Sequence, residues 1–357
     1  MNAGILLLLL FGGDWATGNP ERIARGKEVY EVGCAVCHGK DGRGNPAWES
    51  DVRPVELDDC TTTAEPTQLW EAIVRDGGMR WGLFSVMPSF ADAFSDEEIG
   101  AAVASMRTFC ADADGYPPGD LNFRRLLATG KAFPEMEWVL RLSHQPRSET
   151  RETELEVIYE NRLGSRFQYE VELPLRLQSR PAGEGTGIGD LTLSGKQVLH
   201  HDLASWTIVS AGLDVRLPTG SESKGLGSGT VRLEPFLAFG KAWGRGRTIF
   251  QGRFGARFPT DGDKEEPQGA YGIALSQALG HPRVAWTPAV ELVGTVDLDS
   301  GRHDYALWLE TSKALNKLGH VIANVGVQIP IRPQNAAVRV EFYVLWDFGD
   351  GPFWVGW

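Results

Sequence analysis

The sequence "CAVCHGKDGRGNPAW", residues 34–48, contains two cysteines separated by two residues, with a histidine directly after the second. Two thiols at this spacing can add to the two vinyl groups of one haem, and the adjacent imidazole then lies beneath the iron. A zinc site would need a second pair of ligands at similar spacing, and the sequence contains none. A thioredoxin-like motif would be followed by a helix without a histidine ligand. The pattern therefore predicts one covalently bound haem c at Cys34, Cys37 and His38.

Three methionines compete for the sixth position on the iron. Met87 is followed by Pro88, which would fix the loop in an extended turn and keep a soft ligand in place. Met106 lies at helical spacing with apolar neighbours, so we interpret it as a core residue. Met79 lies in the loop sequence "RDGGMRW" and is the alternative. The rigidity argument favours Met87.

The length, net charge and composition describe a chain that is long enough for two domains and has no basic face. It has 357 residues and a formal net charge of −12, which argues against a nucleic-acid partner. The 43 glycines and 12 tryptophans suit an all-β region with many turns. Outside the haem motif, the two remaining cysteines are Cys60 and Cys110. In an exported protein they most simply form a disulfide, and the alternative is two separate buried thiols.

The longest apolar run, "GILLLLLFGG" at residues 4–13, is too short to span a bilayer. Small residues follow it at residues 16–18, so residues 1–18 are expected to be a cleaved signal peptide. The alternative is a buried helix of the mature protein. Because no other long apolar run follows, any membrane contact of the chain is expected to involve strands.

Beyond a linker at residues 111–134, which is rich in Gly, Pro and Asp, the apolar period changes to two. In "RFQYEVELPL", residues 166–175, and "VRVEFYVLWDF", residues 338–348, apolar and polar side chains alternate over about ten residues, near the length that a tilted transmembrane strand needs. We expect about twelve strands, beginning near Trp138, Thr153, Arg166, Gly187, Ser205, Thr230, Gly246, Gly269, Val284, His303, Gly319 and Ala336.

The connections between these strands are alternately short and long, as in a transmembrane barrel, whereas a soluble β-sandwich, the alternative, would not keep that rhythm. The polar faces of the strands mix both signs of charge, and inside a barrel they could form ion pairs between neighbouring strands. These residues are Glu154, Glu156, Glu170, Glu172, Asp214, Arg216, Arg232, Glu234, Arg253, Arg257, Glu291, Glu310, Arg339 and Glu341.

The stretch from Pro20 to Cys110 resembles an all-α class I c-type cytochrome domain, on "CAVCH" and on "MPSF…SDEEIGAAVASMRTF". The resemblance implies that His38 and Met87 are the axial ligands, with thioether bonds at Cys34 and Cys37. With both axial positions filled, it implies single-electron transfer rather than catalysis. The family usually places an aromatic residue near Met106, where the last helix meets the first helix at a glycine such as Gly26, and this sequence lacks that aromatic.

The second region resembles outer-membrane β-barrel families of the transporter type, on "GIGDLTLSGK" at residues 187–196 and "RLPTG" at residues 216–220. The whole chain resembles the cytochrome–barrel fusion proteins of the outer membrane. The resulting division is a signal peptide at residues 1–18, a haem domain at 19–110, a linker at 111–134 and an antiparallel barrel at 135–357.

This arrangement implies a protein of the outer membrane of a Gram-negative bacterium, with the haem domain in the periplasm. We expect a periplasmic redox carrier protein and outer-membrane lipid as partners, with a small solute or metal ion as a further ligand. Two other functions stay open. One is a redox-gated channel for a small solute, and the other is a soluble periplasmic cytochrome joined to a β-sandwich binding module.

Overall fold

The structure is a computed structural model that describes residues 19–49, 52, 54–61, 65–83, 86–112, 115–146, 151–180, 183–281, 284–333 and 337–357. The predicted signal peptide, residues 1–18, lies outside the described residues. Within the described ranges, no helix combines the length and the apolar character needed to cross a membrane.

Four α-helices form the first part of the described chain. They are α1 (Pro20–Gly33), α2 (Ala35–His38), α3 (Thr67–Asp76) and α4 (Asp96–Met106). Helix α1 begins with the Asn19 side chain accepting hydrogen bonds from two backbone N–H groups of its first turn. Helix α4 begins with a capping box, in which Ser95 and Glu98 satisfy each other's backbone N–H groups. These caps fix where the two longest core helices start.

Helices α1 and α4 cross at Gly26. A Cβ atom at this position would lie 1.9 Å from the backbone oxygen of Ala101, so only glycine allows the two backbones to approach so closely. Nearby, the rings of Tyr30 and Phe109 meet edge to face with their centroids 5.0 Å apart. The aromatic contact at this crossing is therefore made by Phe109, which lies just past the end of α4 rather than within the helix.

Thirteen strands follow the helices in the described part of the chain. They are β1 (Glu137–Pro146), β2 (Arg151–Leu163), β3 (Phe167–Arg180), β4 (Gly183–Ile188), β5 (Leu191–Asp202), β6 (Thr207–Leu217), β7 (Arg232–Trp243), β8 (Thr248–Pro259), β9 (Gln268–Gln277), β10 (Thr287–Asp297), β11 (His303–Ala314), β12 (Val321–Arg332) and β13 (Arg339–Asp347). Every strand pairs antiparallel with its neighbours, and the starts lie close to the predicted positions.

The strands close into a ring, because β1 pairs with both β13 and β2, and β2 also pairs with β3. Strands β4 and β5 share one position, since both pair with β3 at its two ends. Thirteen strands therefore fill twelve positions of a closed antiparallel barrel, as predicted. The alternative of a two-sheet sandwich is wrong, since a sandwich would leave strand edges that this ring does not have.

The two surfaces of the barrel differ as the alternation predicts. Apolar side chains cover the outside, and examples that are 36% or more exposed are Leu140, Leu142, Leu173, Leu175, Leu193, Leu213, Leu237, Phe254, Leu275, Val290, Leu309, Val325, Val340 and Phe342. Ion pairs line the inside and include Arg141 with Glu156, Arg176 with Glu154, Arg253 with Asp214 and Arg257 with Glu234. The predicted charged lumen is confirmed.

Part of the segment that was predicted to be a linker, residues 111–134, fills the barrel. From Leu121 to Phe133 most side chains are buried against the strands, with Leu121 fully buried and Phe133 1% exposed. Leu121, Phe123 and Phe133 belong to one apolar cluster with side chains of β5 to β8. We call residues 119–135 the plug. The prediction of a simple connecting segment is corrected here, because the apolar side chains of this segment bury against the small and apolar lumen residues of the barrel.

Candidate functional site

The haem motif begins at the end of α1 and forms α2. The backbone N–H groups of Cys37 and His38 both donate to the carbonyl of Cys34, so the two thiols and the histidine are held on one short helical turn. Both thiols are free, whereas Cys60 and Cys110 form a disulfide with Cα atoms 4.9 Å apart. Of the four cysteines, Cys60 and Cys110 are therefore joined to each other, whereas Cys34 and Cys37 keep free thiols.

His38 is oriented by a backbone carbonyl. Its Nδ1 lies 3.3 Å from the oxygen of Val55, and because that oxygen can only accept, Nδ1 carries the proton and Nε2 keeps its lone pair. Burial lowers the pKa of His38, which keeps the imidazole neutral. Burial also raises the pKa of the Cys34 thiol to about 11. The neutral ring with a free Nε2 fits an axial ligand of haem iron.

The structure distinguishes the three methionines by their surroundings. Met87 is half-buried and packs on the same apolar cluster as Cys34, whereas Met79 is 69% exposed. Met106 is 4% exposed in the core, as expected for a helix residue of the interior. The Met87 carbonyl accepts a hydrogen bond from the N–H of Gly78, which lies just after α3. Among these residues, the environment of Met87 fits a haem ligand best.

Helix α3 connects the Met87 loop with the plug. At its C-terminal end, the carbonyl of Val74 accepts the N–H of Phe90, three residues after Met87. At its N-terminal end, the carboxylate of Asp120 accepts the N–H of Thr67 at 3.1 Å and its hydroxyl at 2.7 Å. Asp120 belongs to the first turn of the plug, so one ten-residue helix touches both elements.

The cytochrome-like region lies against one end of the barrel. The Gln68 amide donates to the carbonyl of Arg245 in the β7–β8 turn, and the ring of Trp81 lies 6.2 Å from that of His281 between β9 and β10. Gly82 approaches Gly356 so closely that a Cβ at Gly82 would lie 2.6 Å from the Gly356 Cα. These contacts involve the barrel end that carries the short turns.

The plug is held by carboxylates on the lumen wall. The Glu291 carboxylate accepts the backbone N–H groups of Leu127 and Ala128 at 3.1 Å and that of Thr129 at 2.6 Å. The Glu310 carboxylate also accepts the N–H of Leu127, at 3.0 Å. Three consecutive backbone donors therefore converge on the carboxyl oxygens of Glu291, and the first of them is shared with Glu310.

Further along, the plug is fixed by ion pairs and by donors from the barrel. Lys131 contacts Glu135 and Glu137, and Arg125 contacts Glu137 and Glu160. Further hydrogen bonds join barrel side chains to plug carbonyls and run from Lys196 to Lys131 and Phe133, from Ser210 to Ala132, from Gln251 to Arg124 and from Tyr343 to Arg125. The plug is therefore an integrated part of the barrel. Sequence analysis did not identify any of these residues as functional.

A cavity of about 630 Å³ lies on the other side of the plug, towards the long loops. Leu127, Ala128 and Thr129 contribute to its wall, and so do residues at the loop ends of the strands, such as Arg232 and Arg257. Between the plug and the barrel wall, a much smaller cavity of about 100 Å³ is present. The large cavity is therefore a chamber, with the plug as its floor.

Two family models match the chain. One, described as "Putative MetA-pathway of phenol degradation", matches residues 109–345, and the other, described as "Cytochrome C oxidase, cbb3-type, subunit III", matches residues 21–106. The cytochrome match implies haem c binding by the first part of the chain. The match of the barrel begins before the plug and so includes it.

Several solved structures resemble part of this chain. An outer membrane channel from Pseudomonas putida F1 is 13% identical, over 62% of this chain and 98% of that chain, with a TM-score of 0.48. The KdgM porin is 10% identical, over 59% and 99%, with a TM-score of 0.41. Outer membrane phospholipase A from Escherichia coli is 11% identical, over 63% and 95%, with a TM-score of 0.37. No curated protein matches the chain.

Proposed function

The chain belongs to the family described as "Putative MetA-pathway of phenol degradation", and we propose that this member is an outer-membrane protein whose cytochrome domain transfers single electrons at the periplasmic end of the barrel. The observation that carries the proposal is the set formed by two free thiols, a neutral histidine and a half-buried methionine in one folded domain. The match of residues 21–106 to a cytochrome family supports it.

Cys34 and Cys37 would attach one haem c covalently, and His38 and Met87 would hold its iron. The haem supplies reversible one-electron oxidation and reduction when it is bound. The Val55 carbonyl orients the His38 ring, and Met87 is partly buried by its packing on the apolar cluster that includes Cys34. Because both axial positions would be filled by protein side chains, no position is left for a substrate, and electron transfer is favoured over bond chemistry.

The proposed membrane position rests on the outer surface of the barrel. Leucine, valine and phenylalanine side chains are exposed on most strands, and a soluble protein rarely exposes a continuous apolar surface of this extent. Short turns of outer-membrane barrels face the periplasm, and the cytochrome domain contacts the short-turn end. A soluble periplasmic carrier protein is therefore the proposed electron partner, with outer-membrane lipid around the barrel.

Replacement of the proposed ligands tests the assignment. Met87→Ala should abolish the low-spin spectrum of His/Met ligation while the haem stays attached, and Met79→Ala, the matched control, should leave that spectrum unchanged. The reverse result would make Met79 the ligand.

The double replacement of Cys34 and Cys37 by alanine should remove haem that survives acid extraction. Membrane fractionation with haem staining tests the location, and haem staining confined to the soluble fraction would contradict it.

A second function, a redox-gated channel for a small solute or metal ion, is favoured by the contact of α3 with both the Met87 loop and Asp120 of the plug. A change in the Met87 loop on reduction could move the plug through this helix. Solute flux into liposomes, measured with reduced and oxidised protein, separates the two functions. Equal flux in both states would exclude redox gating.

A further inference from the structure

The chamber above the plug has two unlike walls. Small or apolar residues, among them Ala270, Gly272, Val293 and Ala306, form much of the wall of β9 to β11, which also carries Tyr271, Thr295, Asp304 and Tyr305. Charged residues of β1 to β3, β6 to β8 and β13, together with Arg332 at the end of β12, form the rest of the wall. With about 630 Å³ of volume, the chamber could hold a small organic molecule.

Most arginines of the charged wall have carboxylate partners. Arg141 pairs with Glu156 and Glu341, Arg253 with Asp214 and Glu234, and Arg257 with Glu234. Arg216 pairs with Glu265 and lies 3.8 Å from Asp190. These ion pairs occupy the carboxylates around the β6–β8 part of the chamber, so each of these arginines is largely neutralised within the protein itself.

Arg232 differs from these arginines. It lines the chamber and lies directly opposite Arg216 in the register of β6 and β7, and like charges at such positions repel each other. Within the part of the chain that the structure describes, no ion pair or hydrogen bond of its side chain is found, and Glu234 and Glu265 nearby are engaged by Arg257 and Arg216. Its guanidinium group therefore keeps all its donors available to the chamber.

We propose that the chamber binds a small organic anion, such as a short-chain carboxylate, through Arg232. A guanidinium group binds a carboxylate with two parallel hydrogen bonds, and the added negative charge would relieve the repulsion between Arg232 and Arg216. The small and apolar residues of the β9–β11 wall, such as Ala270, Val293 and Ala306, would contact the body of the molecule. Because the plug closes the chamber from below, the anion enters from the long-loop end. The site is independent of the haem and of electron transfer.

Butyrate and its neutral isostere butyramide test the proposal, by saturation-transfer NMR titration of the full-length haem-loaded protein in nonionic detergent. Butyrate should bind at least tenfold more tightly than butyramide. Arg232→Gln should weaken butyrate binding at least tenfold and leave butyramide binding unchanged. The matched control is Arg151→Gln, which removes the same charge from the start of β2, does not line the chamber and should bind butyrate like the wild type.

Two results would overturn the proposal. One is butyrate binding that does not saturate, or that is no tighter than butyramide binding. The other is equal butyrate affinity in Arg232→Gln and the wild type. An unchanged haem spectrum and the same migration of the unheated barrel in gel electrophoresis would show that each variant is folded, so that a loss of binding reports on Arg232 itself.

Discussion

Replacement of Glu291 by glutamine should release the plug from the barrel wall. Its carboxylate is fully buried and accepts three consecutive backbone N–H groups, those of Leu127, Ala128 and Thr129. Glutamine has nearly the same shape but has no charge. It also presents one amide NH₂ group where the carboxylate had a second acceptor, so at least one of the three N–H groups loses its partner.

The size of the expected effect follows from the number of hydrogen bonds that Glu291 accepts from the plug. A hydrogen bond to a charged group contributes about 1.5–3 kcal/mol and a neutral one about 0.5–1.5 kcal/mol, so each of the three bonds should weaken by about 1 kcal/mol. The sum, about 3 kcal/mol, corresponds to a factor of roughly 100 in an equilibrium constant. We therefore expect the population with a released plug to rise about 100-fold.

Hydrogen–deuterium exchange of the full-length protein in detergent micelles measures this population. Peptides from residues 119–135 should exchange about 100-fold faster in Glu291→Gln, while peptides of the strands keep their rate. The control is Glu154→Gln, which removes a lumen carboxylate that pairs with Arg176 and not with the plug. If the plug peptides exchange at the wild-type rate, or if Glu154→Gln accelerates them equally, the proposed anchoring by Glu291 is refuted.

Three further predictions concern the cytochrome domain. Gly26→Ala should lower its free energy of unfolding by about 3 kcal/mol, seen as a lower thermal midpoint of the haem absorbance, because the new Cβ would overlap the Ala101 carbonyl. Asp120→Asn should cost about 2 kcal/mol in urea unfolding, because the acceptor of both Thr67 hydrogen bonds loses its charge, and an unchanged midpoint would contradict this. Hydrogen bonds from Ser95 lower the pKa of Glu98, so their stabilisation is present above the ordinary carboxyl pKa and is lost as the pH falls through the lowered value. In a pH series of melting curves, the melting temperature of Glu98→Gln should therefore fall less on acidification than that of the wild type.

The barrel could be predicted from the sequence because two local signals agree. In β3 and β13 the alternation of apolar and charged residues is strict enough to assign Leu173 and Val340 to the outside, and Glu172 and Glu341 to the inside. The length of the connections then distinguishes a barrel from a sandwich. Closure itself depends on β1 meeting β13, some 200 residues away, and is inferred from an even strand count rather than from any local pattern.

The plug could not be predicted in the same way, because its glycine, proline and polar content is that of a flexible connection. Lys131 and Glu135 look like solvated residues in sequence, yet both are buried inside the barrel, where the Lys131 ammonium pairs with the carboxylates of Glu135 and Glu137. A buried charge is stable only where it is paired, and the same short-range pair could equally lie on a solvated surface, so the sequence does not show that it is buried. The one available hint is the apolar spacing of Leu121 and Phe123.

For the haem site the local motif gives the attachment residues, while the choice between methionines depends on tertiary structure. Spacing and Pro88 favour Met87, but only the fold shows that Met79 is largely exposed and that Met87 packs on the apolar cluster that includes Cys34. The contacts that join the Met87 loop to Asp120 through α3 could not be predicted from the sequence. Asp120 accepts hydrogen bonds from the start of a helix that lies more than 40 residues before it in the chain.

The arrangement of the lumen bears on the choice between the two proposed functions. A solute that crosses the barrel must displace the plug, which the Glu291 and Glu310 carboxylates and several ion pairs hold, and must then pass the cytochrome domain at the short-turn end. An electron that reaches the haem requires neither movement, since Met87 and His38 belong to a domain outside the barrel. Reversible binding of an anion in the chamber also leaves the plug in place. Electron transfer with a closed barrel is therefore the resting function that this structure favours, and channel activity would require an additional opening step.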